Sequence, residues 1–254
     1  MSGHPVAGVD YPRTVLEFQE WFATDRACLD YLAGLRWPDG FVCPKCATVD
    51  RAWRTADGLW MCSECGRQTS VTAGTIFDKT RSPLRMWFSA AWYITSQKSG
   101  VSAQGLQRVL GLRSYETAWA WMHKFRRAMV VPGRDLLRGT VELDETFVGG
   151  ISRGNQGRSS TKIGVMIAAE MVTARRLGRI RLEPWLEGTL HYGASADHLA
   201  YYLDEFTFRF NRRASRSRGL LFYRLLQQTV QTAPAPLQTL FANKPYEDSE
   251  GDLT

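Results

Sequence analysis

No stretch of this sequence is long and apolar enough to cross a bilayer. The run from Trp87 to Ser96 is among the longest, about half of the ~20 residues that a spanning helix needs. Residues Met1 to Arg13 lack a basic start followed by an apolar stretch. No secretory leader is therefore expected, and the expected compartment is the cytoplasm. Cysteine is scarce, with five in 254 residues. Charge of one sign is missing locally: the last ten residues hold four acids and no base. The whole chain carries +7, so residues 1 to 244 carry +11. A basic body of that kind suits a polyanionic partner, because each neutralised phosphate releases counterions. Hydrophobic residues at 44% and charged residues at 22% exclude a wholly disordered or fibrous chain. The length points to about two domains.

Four of the cysteines form two pairs, Cys43-Pro-Lys-Cys46 and Cys62-Ser-Glu-Cys65. Two CxxC turns at this separation read as a tetrahedral zinc site. Each turn aims two thiolates at one point, and a hairpin over Val49 to Met61, turning at Asp57-Gly58, returns the second pair. Four thiolates leave no open coordination position, so the zinc is structural. Two disulfides are the competing reading, which a cytoplasmic chain disfavours. Cys28 is expected to be buried as a small apolar residue. Lys45, Arg51, Arg54 and Arg67 surround the knuckles and lean towards nucleic acid.

The middle of the chain reads as helical. Ser82-Pro83 offers a capping hydroxyl followed by proline at the first helical position. Leu84, Trp87, Phe88, Ala91, Trp92 and Thr95 then recur at helical spacing. A short helix from Val101 to Leu110 is broken by Gly111. Ser114 caps the next helix, Tyr115 to Met129. Two helices joined by a glycine-containing turn suit a helix-turn-helix. On the second, Ala118, Trp119, Met122 and Phe125 share a core face, while Lys124, Arg126 and Arg127 are placed to touch DNA phosphates.

Beyond Pro132-Gly133 the texture changes. Gly139 to Gly150 reads as a strand on which Val141 and Leu143 alternate with Glu142 and Asp144. Ile151 to Ser160 reads as a loop. Thr161 to Ala169 and Arg179 to Leu182 read as two further strands of an antiparallel meander. A helix over Asp197 to Phe206 places Leu199, Tyr202, Leu203 and Phe206 on one face. Thr207 to Arg224 holds six arginines and no acid, more than solubility requires. A second amphipathic helix covers Leu220 to Val230.

In this order the segments resemble bacterial insertion-sequence transposases of the ISXO-like group. The matching stretches are Phe41 to Cys46 with Cys62 to Cys65, Leu112 to Trp119, Val141 to Gly150 and Tyr202 to Arg213. The resemblance implies an α+β chain: an N-terminal zinc ribbon, a helix-turn-helix and an RNase H-like α/β domain. The implied division is a helical lead-in (1–38), the ribbon (39–80), the helix-turn-helix (81–131), an incomplete catalytic domain (139–230) and a flexible acidic tail (231–254). It further implies two Mg²⁺ or Mn²⁺ ions held by two aspartates and a third Glu or Asn, one ion activating the attacking oxygen and the other stabilising the leaving oxygen. Asp144 fits the first aspartate. Asn211 is the preferred third residue, with Glu205 its rival. Arg209, Arg212 and Arg213 join the expected DNA contacts. The implied partners are double-stranded DNA, as terminal inverted repeats and target, and further copies of the chain, at the nucleoid.

The sequence departs from that pattern in one respect. Between Asp144 and the C-terminal helix the acids are Glu145, Glu170, Glu183, Glu187, Asp197 and Asp204. None follows an apolar strand in the expected setting. Residues 183 to 196 are too few for a crossover helix plus another strand. An internally deleted copy is therefore expected, with strand cleavage and transfer impaired and apolar faces of Val165, Ile167 and Leu203 uncovered. Three readings follow: a transposase, a catalytically inactive remnant occupying element ends, or a zinc-ribbon helix-turn-helix regulator.

Overall fold

A computed structural model describes residues 5–97, 100–130, 136–148, 163–173, 176–185, 196–215 and 217–241. The expected loop at 151–160, the Pro132-Gly133 and Gly149-Gly150 turns and the last part of the acidic tail lie outside the described residues. In chain order the elements are α1 (Val15–Trp21), α2 (Asp25–Arg36), β1 (Ala52–Arg54), β2 (Trp60–Cys62), β3 (Gln68–Thr69), α3 (Leu84–Ser96), α4 (Ala103–Leu110), α5 (Tyr115–Met129), β4 (Val141–Val148), β5 (Ile163–Thr173), β6 (Arg176–Trp185), α6 (Ala196–Asn211), α7 (Arg218–Thr229) and α8 (Leu237–Phe241). No described helix is long and apolar enough to cross a membrane. The chain divides into two compact units. The first is Met1–Met129 with Ser215–Pro234, and the second is Val130–Ala214 with Ala235–Thr254.

The helices of the first unit begin where short polar side chains satisfy their free N–H groups. Thr14 and Glu17 form a reciprocal capping box on α1, Thr24 caps α2 and Ser102 caps α4. Such caps contribute about 1 kcal/mol each. Ser114 Oγ accepts from Glu116 N–H at 3.1 Å at the start of α5. The entry to α3 differs from expectation. Pro83 is itself the cap, its ψ of 141° keeping it outside the helix, and no side chain caps the end. Gly111, in the left-handed region at φ 62°, stops α4.

An aromatic core holds this unit together. Phe222 of α7 is wholly buried and lies 5.4 Å from Phe18, 5.7 Å from Phe22, 5.9 Å from Phe88 and 5.6 Å from Trp92, ring centre to ring centre. Edge and tilted geometries of this kind each add roughly 0.5–1.5 kcal/mol beyond area burial. Deeper in α3, Trp87 stacks on Trp121 at 3.9 Å and meets Phe125 at 5.6 Å. Cys28 is fully buried, as expected, and burial pushes its thiol up to about 12. Gly219 is required where it stands, because a Cβ there would lie 1.5 Å from the Pro12 carbonyl oxygen. Helix α7, within the expected catalytic span of 139–230, thus completes the core of the N-terminal helices.

In the second unit β4, β5 and β6 form an antiparallel meander in that order. The strands follow the expected sequence, but β5 and β6 run further than the apolar stretches indicated. A register shift at Glu170 marks the extension. Helix α6 lays Leu199 and Leu203 against Ile163, Val165 and Leu182. Val165 is therefore buried, contrary to the expected uncovering. The exposed apolar side chains of the sheet are others, among them Leu143 at 69% and Met166 at 42%. The buried stripe of α6 is also shifted. Tyr201 and Phe208 face inward, while Tyr202 and Phe206 are exposed.

Candidate functional site

The two cysteine turns are near copies of one another. In the first, Cys43 N–H donates to Thr48 O at 3.0 Å and Ala47 N–H to Cys43 O at 2.9 Å. In the second, Cys62 N–H donates to Arg67 O and Gly66 N–H to Cys62 O, both at 3.0 Å. Ala47 (φ 57°) and Gly66 (φ 66°) take the same left-handed conformation after each second cysteine. Between the turns, Thr55 and Leu59 close the β1–β2 hairpin through Gly58 at φ 80°, as the Asp57-Gly58 signal indicates.

These turns bring all four sulfurs within 4.8 Å of one another. Cys43 Sγ lies 3.6 Å from Cys65 Sγ, and Cys46 Sγ lies 3.6 Å from Cys62 Sγ. A tetrahedron with Zn–S bonds of 2.3 Å has edges of about 3.8 Å, so the donor set fits zinc closely. The Thr48 hydroxyl and backbone hold the Cys46 thiol down at about 6. Against the backbone hydrogen bond from Arg67, burial and the other three thiols hold Cys65 up at about 11. Cys46 is the ligand already poised as the thiolate that a metal requires. None of the cysteines is in a disulfide.

The cluster is fixed to the helical unit through aromatic rings. Phe41 stacks on Trp60 at 5.6 Å and 3°, and Trp37, at the end of α2, meets both. Arg54 pairs with Asp30 of α2, and Arg51 with Glu64 at 2.8 Å. Two of the four basic residues near the knuckles are thus already neutralised. Over residues 39–80, five basic residues meet five acids.

Positive charge is concentrated elsewhere. Residues 81–130 hold eight Lys and Arg against the single acid Glu116. Of the three basic residues expected to touch phosphate there, Arg126 is buried at 5% exposure, which removes its guanidinium from the surface. Lys124 and Arg127 are half-buried. Lys124 Nζ sits 5.8 Å from the Trp87 ring, and burial pushes its ammonium below the usual value, against the opposing field of Asp78. Trp119, expected in the core, is half-buried, and Trp121, outside the expected core face, is buried there instead. Arg108 and Arg113, on either side of the α4–α5 turn, are exposed, as is Tyr115 at 52%. Helical spacing did not single out these three. Their signal was position beside Gly111.

The side chains expected to hold catalytic metal are each engaged. Asp144 is exposed on β4, and its Oδ1 accepts from Glu145 N–H at 2.8 Å. Asn211 is turned onto β6: its Oδ1 accepts from Ile180 N–H at 2.7 Å and its Nδ2 donates to Ile180 O at 2.9 Å. Glu205 is buried and pairs with Arg209 at 2.8 Å. Arg213 donates to the carbonyls of Leu177 and Gly178 at 2.5 and 3.0 Å and lies over Phe210. Arg212 lies 4.1 Å from the Phe208 ring centre. Among the described residues, the four cysteines are the one group of three or more Cys, His, Asp or Glu close enough to share an ion.

The four-cysteine site therefore has the geometry of a structural zinc ribbon, braced on a helix. Residues 23–68, which take in α2 as well as the ribbon, match the transposase zinc-ribbon domain family. The chain is also 30% identical over 130 residues, half of its own length, to an uncharacterised protein in transposable element ISH50 of Halobacterium salinarum. It spans 43% of that relative's length. No solved structure matches the chain. The chain is thus related to an insertion-sequence protein and carries a transposase-type zinc ribbon.

Proposed function

We propose that this chain binds the DNA ends of an insertion sequence without cutting them. The observation that carries this reading is the eight-to-one excess of basic residues over 81–130, adjoining a ribbon of transposase type. In helix-turn-helix proteins the N-terminal residues of the second helix reach base edges. On this chain that end is Arg113 and Tyr115, with Arg108 beside it for phosphate. The zinc ribbon holds α2 in place and carries no excess charge, so it braces the basic helices rather than reading DNA itself.

Strand transfer by a two-metal mechanism is the second reading, favoured by Asp144 on the first strand of the meander. That reading needs Asn211 to leave Ile180, or Glu205 to leave Arg209, before either could join Asp144 at Mg²⁺ or Mn²⁺. A second aspartate is also needed, and among the described residues no group of three His, Cys, Asp or Glu ligands gathers around Asp144. The inactive reading is preferred for these reasons.

One experiment tests both. The zinc-loaded chain is titrated onto duplexes carrying the ends that flank its gene, with Mg²⁺ or Mn²⁺ present, and bound and cleaved DNA are read from the same samples. Binding that weakens about tenfold or more in an Arg108→Ala/Arg113→Ala variant, without cleavage, is expected. Metal-dependent cleavage lost in Asp144→Asn would overturn the inactive reading. Binding untouched by the double variant would remove the assigned DNA face.

A further inference from the structure

The two edges of the second sheet are treated differently. The first half of the outer edge of β6 is capped by side chains at the end of α6 and just beyond it: Asn211 takes both backbone groups of Ile180, and Arg213 takes the carbonyls of Leu177 and Gly178. Such capping is one way that proteins prevent an edge from pairing with another chain. Strand β4 has no counterpart among the described residues. Among the described residues it pairs with β5 alone; it runs for eight residues and is exposed throughout except at half-buried Phe147. Leu143 is 69% exposed. A long edge with apolar side chains is a template for strand addition.

We infer that the open edge of β4 accepts an extended, lysine- or arginine-bearing segment of another polypeptide as a fourth strand. The charge on the strand selects this occupant. Val141 to Val148 holds Glu142, Asp144 and Glu145 and no base. A second copy pairing β4 to β4 antiparallel would set acid against acid at the centre: Asp144 against its own copy, or Glu145 against its own copy one register along. Directly opposed like charges destabilise a strand pair. A basic strand meets the same acids favourably, and its own backbone completes the ladder. Because Asn211 and Arg213 occupy the β6 edge at Leu177, Gly178 and Ile180, addition of a further strand there is disfavoured.

The test uses the full zinc-loaded chain and a short fluorescent peptide alternating valine with lysine. Two controls replace lysine by glutamate, or interrupt the strand with proline, which keeps the charge but removes ladder N–H donors. The lysine peptide is expected to bind roughly tenfold tighter than either control. Glu142→Lys/Glu145→Lys is expected to shift the preference to the glutamate peptide. The milder Glu142→Gln/Glu145→Gln, checked by circular dichroism, is expected to abolish discrimination if the charge reversal unfolds the sheet. Equal binding of the proline peptide would mean attraction without strand addition and overturn the inference. No binding of the lysine peptide would do the same. Neutral-pH dimers that the proline peptide leaves intact and Leu143→Lys disperses would make a second copy the occupant, again overturning it.

Discussion

Asn211 and Ile180 form a closed pair, the side-chain amide of one matching both backbone groups of the other at 2.7 and 2.9 Å. The amide occupies the place that a neighbouring strand would take. Asn211→Leu leaves the N–H and C=O of Ile180 without that partner, and a cost of about 1–3 kcal/mol is expected. Asn211→Asp keeps the acceptor and loses the donor, so its cost should fall between leucine and wild type. Urea unfolding followed by circular dichroism measures both. An Asn211→Asp variant that gains stability specifically with Mg²⁺ would instead mark the residue as a metal ligand.

Glu170 sits at the register shift between β5 and β6. Backbone N–H groups of Arg179 and Arg138 donate to its carboxylate at 3.0 and 2.9 Å and hold it below its usual pKa. A depressed carboxylate stabilises the fold above its unfolded pKa of roughly 4.3. That contribution is lost as pH falls through the lower, folded value. The group is half-exposed, so solvent screening keeps the effect modest. The urea midpoint of the wild type should drop faster than that of Glu170→Gln between neutral pH and pH ~3. Parallel curves would show that the carboxylate carries no such linkage.

Ala47 and Gly66 occupy equivalent left-handed positions, and only one is glycine. Ala47→Gly should stabilise the zinc-loaded ribbon by about 0.5–1 kcal/mol, and Gly66→Ala should cost about as much. Chelation should separately disorder the Trp37, Phe41 and Trp60 cluster, because metal binding and folding are one equilibrium in such sites. Tryptophan fluorescence during titration with a zinc chelator reports both. Retention of the native spectrum after complete zinc removal would make the ribbon independent of metal.

The ribbon was the most legible part of the chain. Cysteine spacing and Asp57-Gly58 act locally, and local rules place them whatever the remainder does. The helices around Gly111 and Ser114 were legible for the same reason. The roles of Asn211, Arg209 and Arg213 were not, because their partners lie on β6 or on the same helix face and no spacing rule encodes them. An acid-free run of arginines looks like a nucleic-acid contact in sequence, yet two of these bind Glu205 and the backbone of β6. Arg126 misled in the opposite way: a helical wheel gives its angle, but not that α5 is enclosed on that side. Phe222 could not be assigned to the N-terminal core from its neighbours, since its contacts come from residues about 130 to 205 positions earlier.

The first unit opens with the N-terminus, breaks off at Met129 and resumes at Ser215. The second unit's sheet is written inside it like a clause between brackets. Insertions and losses confined to 130–214 leave both brackets intact, so the aromatic core can tolerate large changes of length there. A stop codon at 215 would do the reverse. It would spare every residue of the sheet and take Phe222 out of the centre of the other unit. Frameshifts late in such a gene would therefore be read out first as a failure of the N-terminal helices, far upstream of the lesion.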